Sequence, residues 1–76
     1  MGVTVYSTPS CPWCHKAKEF LAENDVDFKD VNVAADQSAA HEMIKKSGQM
    51  GVPVLDINGE VVVGFDMSRI KDLLNL

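Results

Sequence analysis

Val3-Thr4-Val5-Tyr6-Ser7-Thr8-Pro9-Ser10-Cys11-Pro12-Trp13-Cys14 is the stretch that decides how this chain folds. The apolar run from Val3 to Tyr6 gives way to a polar turn, Ser7 to Ser10, and a helical pattern opens at Pro12. Proline suits the first helical position, where its missing N–H would have had no intrahelical acceptor. The two cysteines of the molecule stand at this strand–helix junction, separated by two residues. At a helix start, unpaired backbone N–H groups and the helix dipole favour an anion, and the thiolate is the attacking species in disulfide exchange. Cys14 lies one turn further in, within reach of a mixed disulfide on its neighbour. The placement predicts Cys11 as nucleophile and Cys14 as resolving thiol, with Pro12 stiffening the link between them.

Working outward, Gly2 to Tyr6 reads as a buried strand and Pro12 to Asn24 as a helix. Trp13, Ala17, Phe20 and Leu21 fall at helical spacing on one face of it. Phe28 to Val33 reads as a second strand. Asp36 to Ser47 reads as a second helix, with Asp36 as N-cap and Gly48 as the stop. Pro53 to Ile57 and Glu60 to Val63 flank Asn58-Gly59, a strong hairpin signal because both turn residues accept positive φ. A last helix starts near Asp66, with Ile70, Leu73 and Leu74 as its apolar face. The order is β-α-β-α-β-β-α. A helical crossover makes the first two strands parallel and right-handed, and the hairpin makes the last two antiparallel. The expected fold class is α/β: a four-stranded mixed sheet with three helices distributed over both faces.

The 76 residues fit one domain, 1–76, and 46% of them are apolar. A Cys11–Cys14 disulfide closes too short a loop to restrict the unfolded chain much, so the pair is not a structural staple. Seven Lys/Arg against eleven Asp/Glu give a net charge of −4 with no basic stripe. That excludes nucleic acid and anionic membrane surfaces as main partners. No charged n-region precedes an apolar run, and no run is long enough to span a bilayer, so the expected compartment is the cytoplasm. There, closely spaced cysteines are more often catalytic or metal-binding than structural.

Three other readings of the pair compete with this one. Buried core cysteines do not explain the placement directly after a strand. Zinc needs four ligands, and beyond Cys11, Cys14, His15 and distant His41 no second cluster is spaced for it; no metal site is expected. Cys11-Pro12-Trp13-Cys14-His15 is also the C-x-x-C-H string of c-type haem attachment, but a preceding strand and a later hairpin argue against a small cytochrome.

Two further segments bear on the chemistry. Pro53 opens a strand inside the sheet although it cannot donate to a ladder. A cis Val52-Pro53 bond would offer the Val52 backbone to a bound peptide; a trans proline at the strand start satisfies the same position. Gly64-Phe65-Asp66 leads into the last helix, an approach suited to a carboxylate and equally to a simple turn and N-cap.

Together these segments resemble the glutaredoxins and glutaredoxin-like redoxins of the thioredoxin fold, over essentially the whole chain. The resemblance rests on Cys11-Pro12-Trp13-Cys14 continuing into His15-Lys16-Ala17-Lys18, on Gln49 before Val52-Pro53, and on Gly64-Phe65-Asp66. It implies a thioredoxin-like, glutaredoxin-type fold and a dithiol thiol–disulfide oxidoreductase acting on disulfide-containing protein substrates or glutathione mixed disulfides. It implies a cis Val52-Pro53 facing Cys11, and a site for glutathione or a reductase built from Pro12, Trp13, Lys16, Val52, Pro53, Gly64, Phe65 and Asp66. No bound cofactor is implied; glutathione enters as cosubstrate, and the protein is expected to act as a monomer.

The departures from the family pattern are informative. Many glutaredoxins carry a lysine shortly before the first cysteine, where this chain has Ser7-Thr8-Pro9-Ser10. A basic residue often follows the glutamine, where this chain has Met50. Gly51 replaces the usual threonine before Val-Pro, and Val63-Gly64-Phe65-Asp66-Met67 replaces the usual Gly-Gly-x-Asp-Asp. Two cations that would meet the glutathione carboxylates are absent, with Lys16 as the one substitute at hand. Gly64-Phe65 is also similar to the redoxins that serve ribonucleotide reductase and are recycled by thioredoxin reductase. An iron–sulfur module using Cys11 across a dimer is a further alternative, which Pro12 disfavours by resemblance. Trp13 is expected partly exposed beside Cys11 as a flat contact for the incoming disulfide; its place in the helical stripe admits a core position as the alternative.

Overall fold

The computed structural model describes residues 2–76. Its elements are β1 (Val3–Ser7), α1 (Pro12–Glu23), β2 (Lys29–Asn32), α2 (Gln37–Ser47), β3 (Val54–Ile57), β4 (Glu60–Val63) and α3 (Met67–Leu74). The expected order holds, with strand ends shifted by a residue. β1 extends through Ser7 because Ser7 still pairs with Asn32 in the parallel ladder to β2. β3 begins after Pro53, which has no N–H to give.

The strands lie in the order β2-β1-β3-β4. β1 runs parallel to β2 and antiparallel to β3, and β3 pairs antiparallel with β4. Asn58 and Gly59 both take positive φ, 52° and 93°, as the hairpin turn requires.

Side-chain alternation on the strands divides the core in two. On one face Val3, Val5, Leu55, Ile57 and Val62 pack against Ala17 and Leu21 of α1 and Ile70 of α3. On the other, Tyr6 and Val54 pack against Ala39 and Met43 of α2. Full burial of such Val, Leu and Ile side chains is worth about 1.5–3 kcal/mol each. The buried stripe of α1 is Cys14, Ala17 and Leu21. Trp13 is not part of it: 58% of its surface is exposed, so the core position is excluded. One residue of helical rotation separates it from the stripe that faces the sheet.

Caps fix the helix ends. The Asp36 carboxylate accepts the Ala39 N–H at 3.1 Å, and Asp66 accepts the Arg69 N–H at 3.2 Å. Gly48, at φ 76°, closes α2 in the left-handed conformation. Lys46 ties α2 to the sheet, with Nζ 2.8 Å from Asp56 and 3.1 Å from the Tyr6 hydroxyl. No helix among the described residues is long and apolar enough to cross a membrane.

Candidate active site

β1 ends at Ser7, and four residues later the chain turns into α1. The hinge is Cys11, which has extended backbone (φ −95°, ψ 110°) and serves as the N-cap of α1. Its sulfur accepts the Cys14 N–H at 3.2 Å, satisfying one of the helix's orphan donors. The Cys11 N–H in turn donates to the Thr8 carbonyl at 3.4 Å. Cys11 is partly exposed, whereas Cys14, one turn on, is wholly buried. Both are free thiols.

The Val52-Pro53 bond is cis. The Val52 carbonyl lies 3.9 Å from the Cys11 sulfur, a long S–H···O contact across the site. The Pro53 carbonyl accepts the Gly64 N–H at 2.8 Å, which draws the Gly64-Phe65-Asp66 turn alongside. Gly64 makes that turn at φ 78°, a conformation that glycine adopts without cost. Trp13, Val52, Pro53, Gly64 and Phe65 together line a groove of about 310 Å³.

The fold thus gathers Cys11, Trp13, Val52, Pro53, Gly64 and Phe65 from three parts of the chain, with Pro12 at the first helical position. Two predicted site residues have other engagements. The Lys16 ammonium sits over the Trp13 ring, 4.9 Å from its centroid. The Asp66 carboxylate caps α3.

Burial pushes the Cys14 thiol up to about 11, reinforced by its hydrogen bond with the Cys11 side chain and the charge there. The Thr8 backbone and the Lys18 ammonium act in the opposite direction. Behind the pair, buried Ser7 donates to Asp30 at 2.7 Å, and Lys18 donates to the other carboxylate oxygen at 3.1 Å. Burial works to raise the Asp30 carboxyl, but these two donors outweigh it and hold it below the usual range.

The structure adds contacts and exposures around the site that the quoted motif residues did not foretell. His15 Nε2 lies 3.0 Å from the Pro9 carbonyl, clamping the turn before Cys11 onto the first turn of α1. Met50 and Met67 are 78% and 43% exposed. A methionine in an otherwise polar loop was the available signal for Met50. Ser7, Lys18 and Asp30 carried none, because their meeting depends on the parallel β1–β2 register. Among the described residues, no group of three His, Cys, Asp or Glu side chains is placed to hold a metal ion.

A free dithiol at a strand–helix junction, faced by a cis-proline segment on a sheet of this order, defines a thiol–disulfide oxidoreductase of thioredoxin-like fold. Residues 3–62 match the glutaredoxin family model, and the chain belongs to the glutaredoxin family. It is 49% identical to a glutaredoxin-like 8.6 kDa protein of the rubredoxin operon of Clostridium pasteurianum, over 95% of this chain and 96% of that one. A crystal structure of a thioredoxin-like protein superposes with a TM-score of 0.91 at 36% identity, covering 96% of this chain and 94% of its own. The glutaredoxin-like NrdH-redoxin from Escherichia coli, described as having a thioredoxin-like activity profile, superposes at 0.86 with 27% identity, covering 96% and 95% of the two chains.

Proposed function

We propose that this protein is a dithiol reductase of protein disulfides, with Cys11 as nucleophile and Cys14 as resolving thiol. The observation that carries the reading is the partly exposed Cys11 sulfur held by the Cys14 N–H, with the Cys14 thiol wholly buried behind it. The Cys11 thiolate attacks one sulfur of the substrate disulfide, and the other sulfur leaves as a thiolate that takes up a proton. The Cys14 thiol then loses its proton and attacks the Cys11 sulfur of the mixed disulfide. The Cys11–Cys14 disulfide forms, the second substrate thiol departs, and two electrons have passed to the substrate.

The electrostatics support this order. Besides burial, two causes that hold up the Cys14 proton come from Cys11 itself: its hydrogen bond and its charge. Both weaken once Cys11 is bonded to substrate, which eases release of the Cys14 proton at the step that needs it, while burial, the largest cause, remains. Cys11→Ser is expected to abolish turnover. Cys14→Ser is expected to lose reduction of protein disulfides while keeping cleavage of glutathione mixed disulfides, where no resolving thiol is required. Full reduction of protein disulfides by either variant would sink the assignment.

A second reading concerns the electron source: a donor redoxin recycled by thioredoxin reductase in place of glutathione. The groove beside Cys11 is lined by Trp13, Val52, Pro53, Gly64 and Phe65, none of them cationic, and the nearby Lys16 stacks on Trp13. Glutathione carboxylates would therefore meet little positive charge. Similarity to the NrdH-redoxin over nearly its full length supports the same reading. Two coupled assays on the oxidised protein test it, one with glutathione and glutathione reductase, the other with thioredoxin reductase. Faster NADPH oxidation in the second is expected; faster oxidation in the first overturns this reading and leaves the dithiol chemistry standing.

A further inference from the structure

The groove beside Cys11 does not end at Trp13. Across the ridge formed by Trp13 and Phe65 lies a second hollow of about 330 Å³ between α1 and the start of α3. Its floor is the edge-to-face pair Phe20–Phe65, with ring centroids 5.8 Å apart, and Met67 forms the far wall. Lys16, Glu19, Phe20 and Glu23 line its α1 side, spaced at i, i+3, i+4 and i+7 so that they share one helix face. The charges are distributed unevenly. The one lysine lies at the Trp13 end, stacked on the indole. Arg69, on the neighbouring helix, pairs with Glu60 at 3.6 Å. Among the described residues neither Glu19 nor Glu23 has an ion-pair partner, and both are exposed.

Trp13 and Phe65 line both the groove beside Cys11 and this hollow, so the chain flanking a disulfide seated in that groove has this hollow as a direct continuation of its path. We propose that the hollow receives a basic residue of the protein substrate, making Glu19 and Glu23 specificity determinants for disulfides with lysine or arginine nearby. The spacing follows from geometry. Glu19 and Glu23 stand eight and twelve residues beyond Cys11, a helical rise of about 12–18 Å. An extended chain at about 3.3 Å per residue spans that distance in roughly four to five positions. The inference rests on the dithiol reading of Cys11 and Cys14 and adds to it what the substrate looks like.

The test uses disulfide-linked peptide dimers with lysine at the fourth and fifth positions on both sides of the cysteine, and matched peptides with glutamate there. The readout is the ratio of kcat/KM, lysine over glutamate, for one enzyme preparation, which cancels any loss of folded protein. At low ionic strength the wild type is expected to favour the lysine peptide about five-fold. The E19K/E23K variant is expected to bring the ratio below one. D27K/E42K makes the same change in net charge away from the hollow and is expected to retain the wild-type preference. A wild-type ratio of one, a ratio unmoved by E19K/E23K, or equal inversion by D27K/E42K overturns the proposal while leaving the dithiol reading intact. Failure of the wild type to reduce either peptide overturns the dithiol reading and this inference with it.

Discussion

The sulfur of Cys11 accepts the backbone N–H of Cys14 at 3.2 Å and so occupies the place that a serine or aspartate oxygen fills in most helices. The proposed nucleophile and the helix cap are one atom. Stability and reactivity at this position are therefore separable by the choice of replacement. Cys11→Ser restores an oxygen cap and is expected to match the wild type in chemical denaturation while losing turnover. Cys11→Ala removes the cap and is expected to cost about 1 kcal/mol in addition. Equal stability of the two variants would show that the sulfur contributes nothing as a cap.

The buried Cys14 thiol gives stability an alkaline limit. Burial is the largest cause of its rise to about 11 from an ordinary 9.0. The folded state thus holds the proton more tightly than the unfolded one. The contribution is fully present below about pH 9 and is lost as pH rises through about 11, where the unfolded chain has already released the proton. Reduced wild-type protein should lose about 2 kcal/mol more than Cys14→Ala between pH 8 and pH 11. Urea midpoints at the two values check this, and parallel profiles for the two proteins would refute it.

Lys46 joins α2 to the sheet through Asp56 at 2.8 Å and the Tyr6 hydroxyl at 3.1 Å, and pairs within α2 with Glu42 at 3.4 Å. The lysine is the main cause holding the Asp56 carboxyl below its usual range, and it gains a raised affinity for its own proton in return. Since the folded Asp56 is depressed, its contribution is present above the ordinary carboxyl range and is lost as pH falls through the folded value. Lys46→Met is expected to cost about 1 kcal/mol at neutral pH, discounted for the partial exposure of the pair. It should also flatten the acid side of the stability profile. An unchanged acid side would mean that Asp56 does not depend on Lys46.

The element order was legible because each element carried its own local signal: Pro12 at a helix start, Asn58-Gly59 at a turn, Asp36 and Asp66 at caps. The facing of Val52-Pro53 toward Cys11 came through family resemblance, since position alone left cis and trans open. The placement of Trp13 shows the limit of periodicity. A spacing of 13, 17, 20 and 21 fits one helix face, yet the face against the sheet begins at Cys14, and a shift of one residue moves the indole into solvent. The contact between His15 and Pro9 and the Ser7–Asp30–Lys18 cluster had no trace in local patterns. The cluster requires β1 and β2 in a particular register, which only the assembled sheet fixes.

Trp13 offers the clearest separation of binding from folding. More than half of it is exposed, so Trp13→Ala should change stability by no more than about 0.5 kcal/mol. Yet the indole is a wall common to both grooves and the stacking partner of the Lys16 ammonium. In the proposed docking, its loss removes the flat contact for a substrate disulfide, and it frees Lys16 to move toward Cys11. Reduction of a protein disulfide is expected to fall about ten-fold in kcat/KM, most of it through KM, because an exposed aromatic anchor contributes to binding before the chemistry begins. Cleavage of a small glutathione mixed disulfide, which covers less of the ridge, is expected to fall less or to rise as Lys16 becomes available to a carboxylate. Steady-state assays with the two substrates side by side decide the point: equal losses on both would place Trp13 in the chemistry of Cys11 instead of in the docking of its partner.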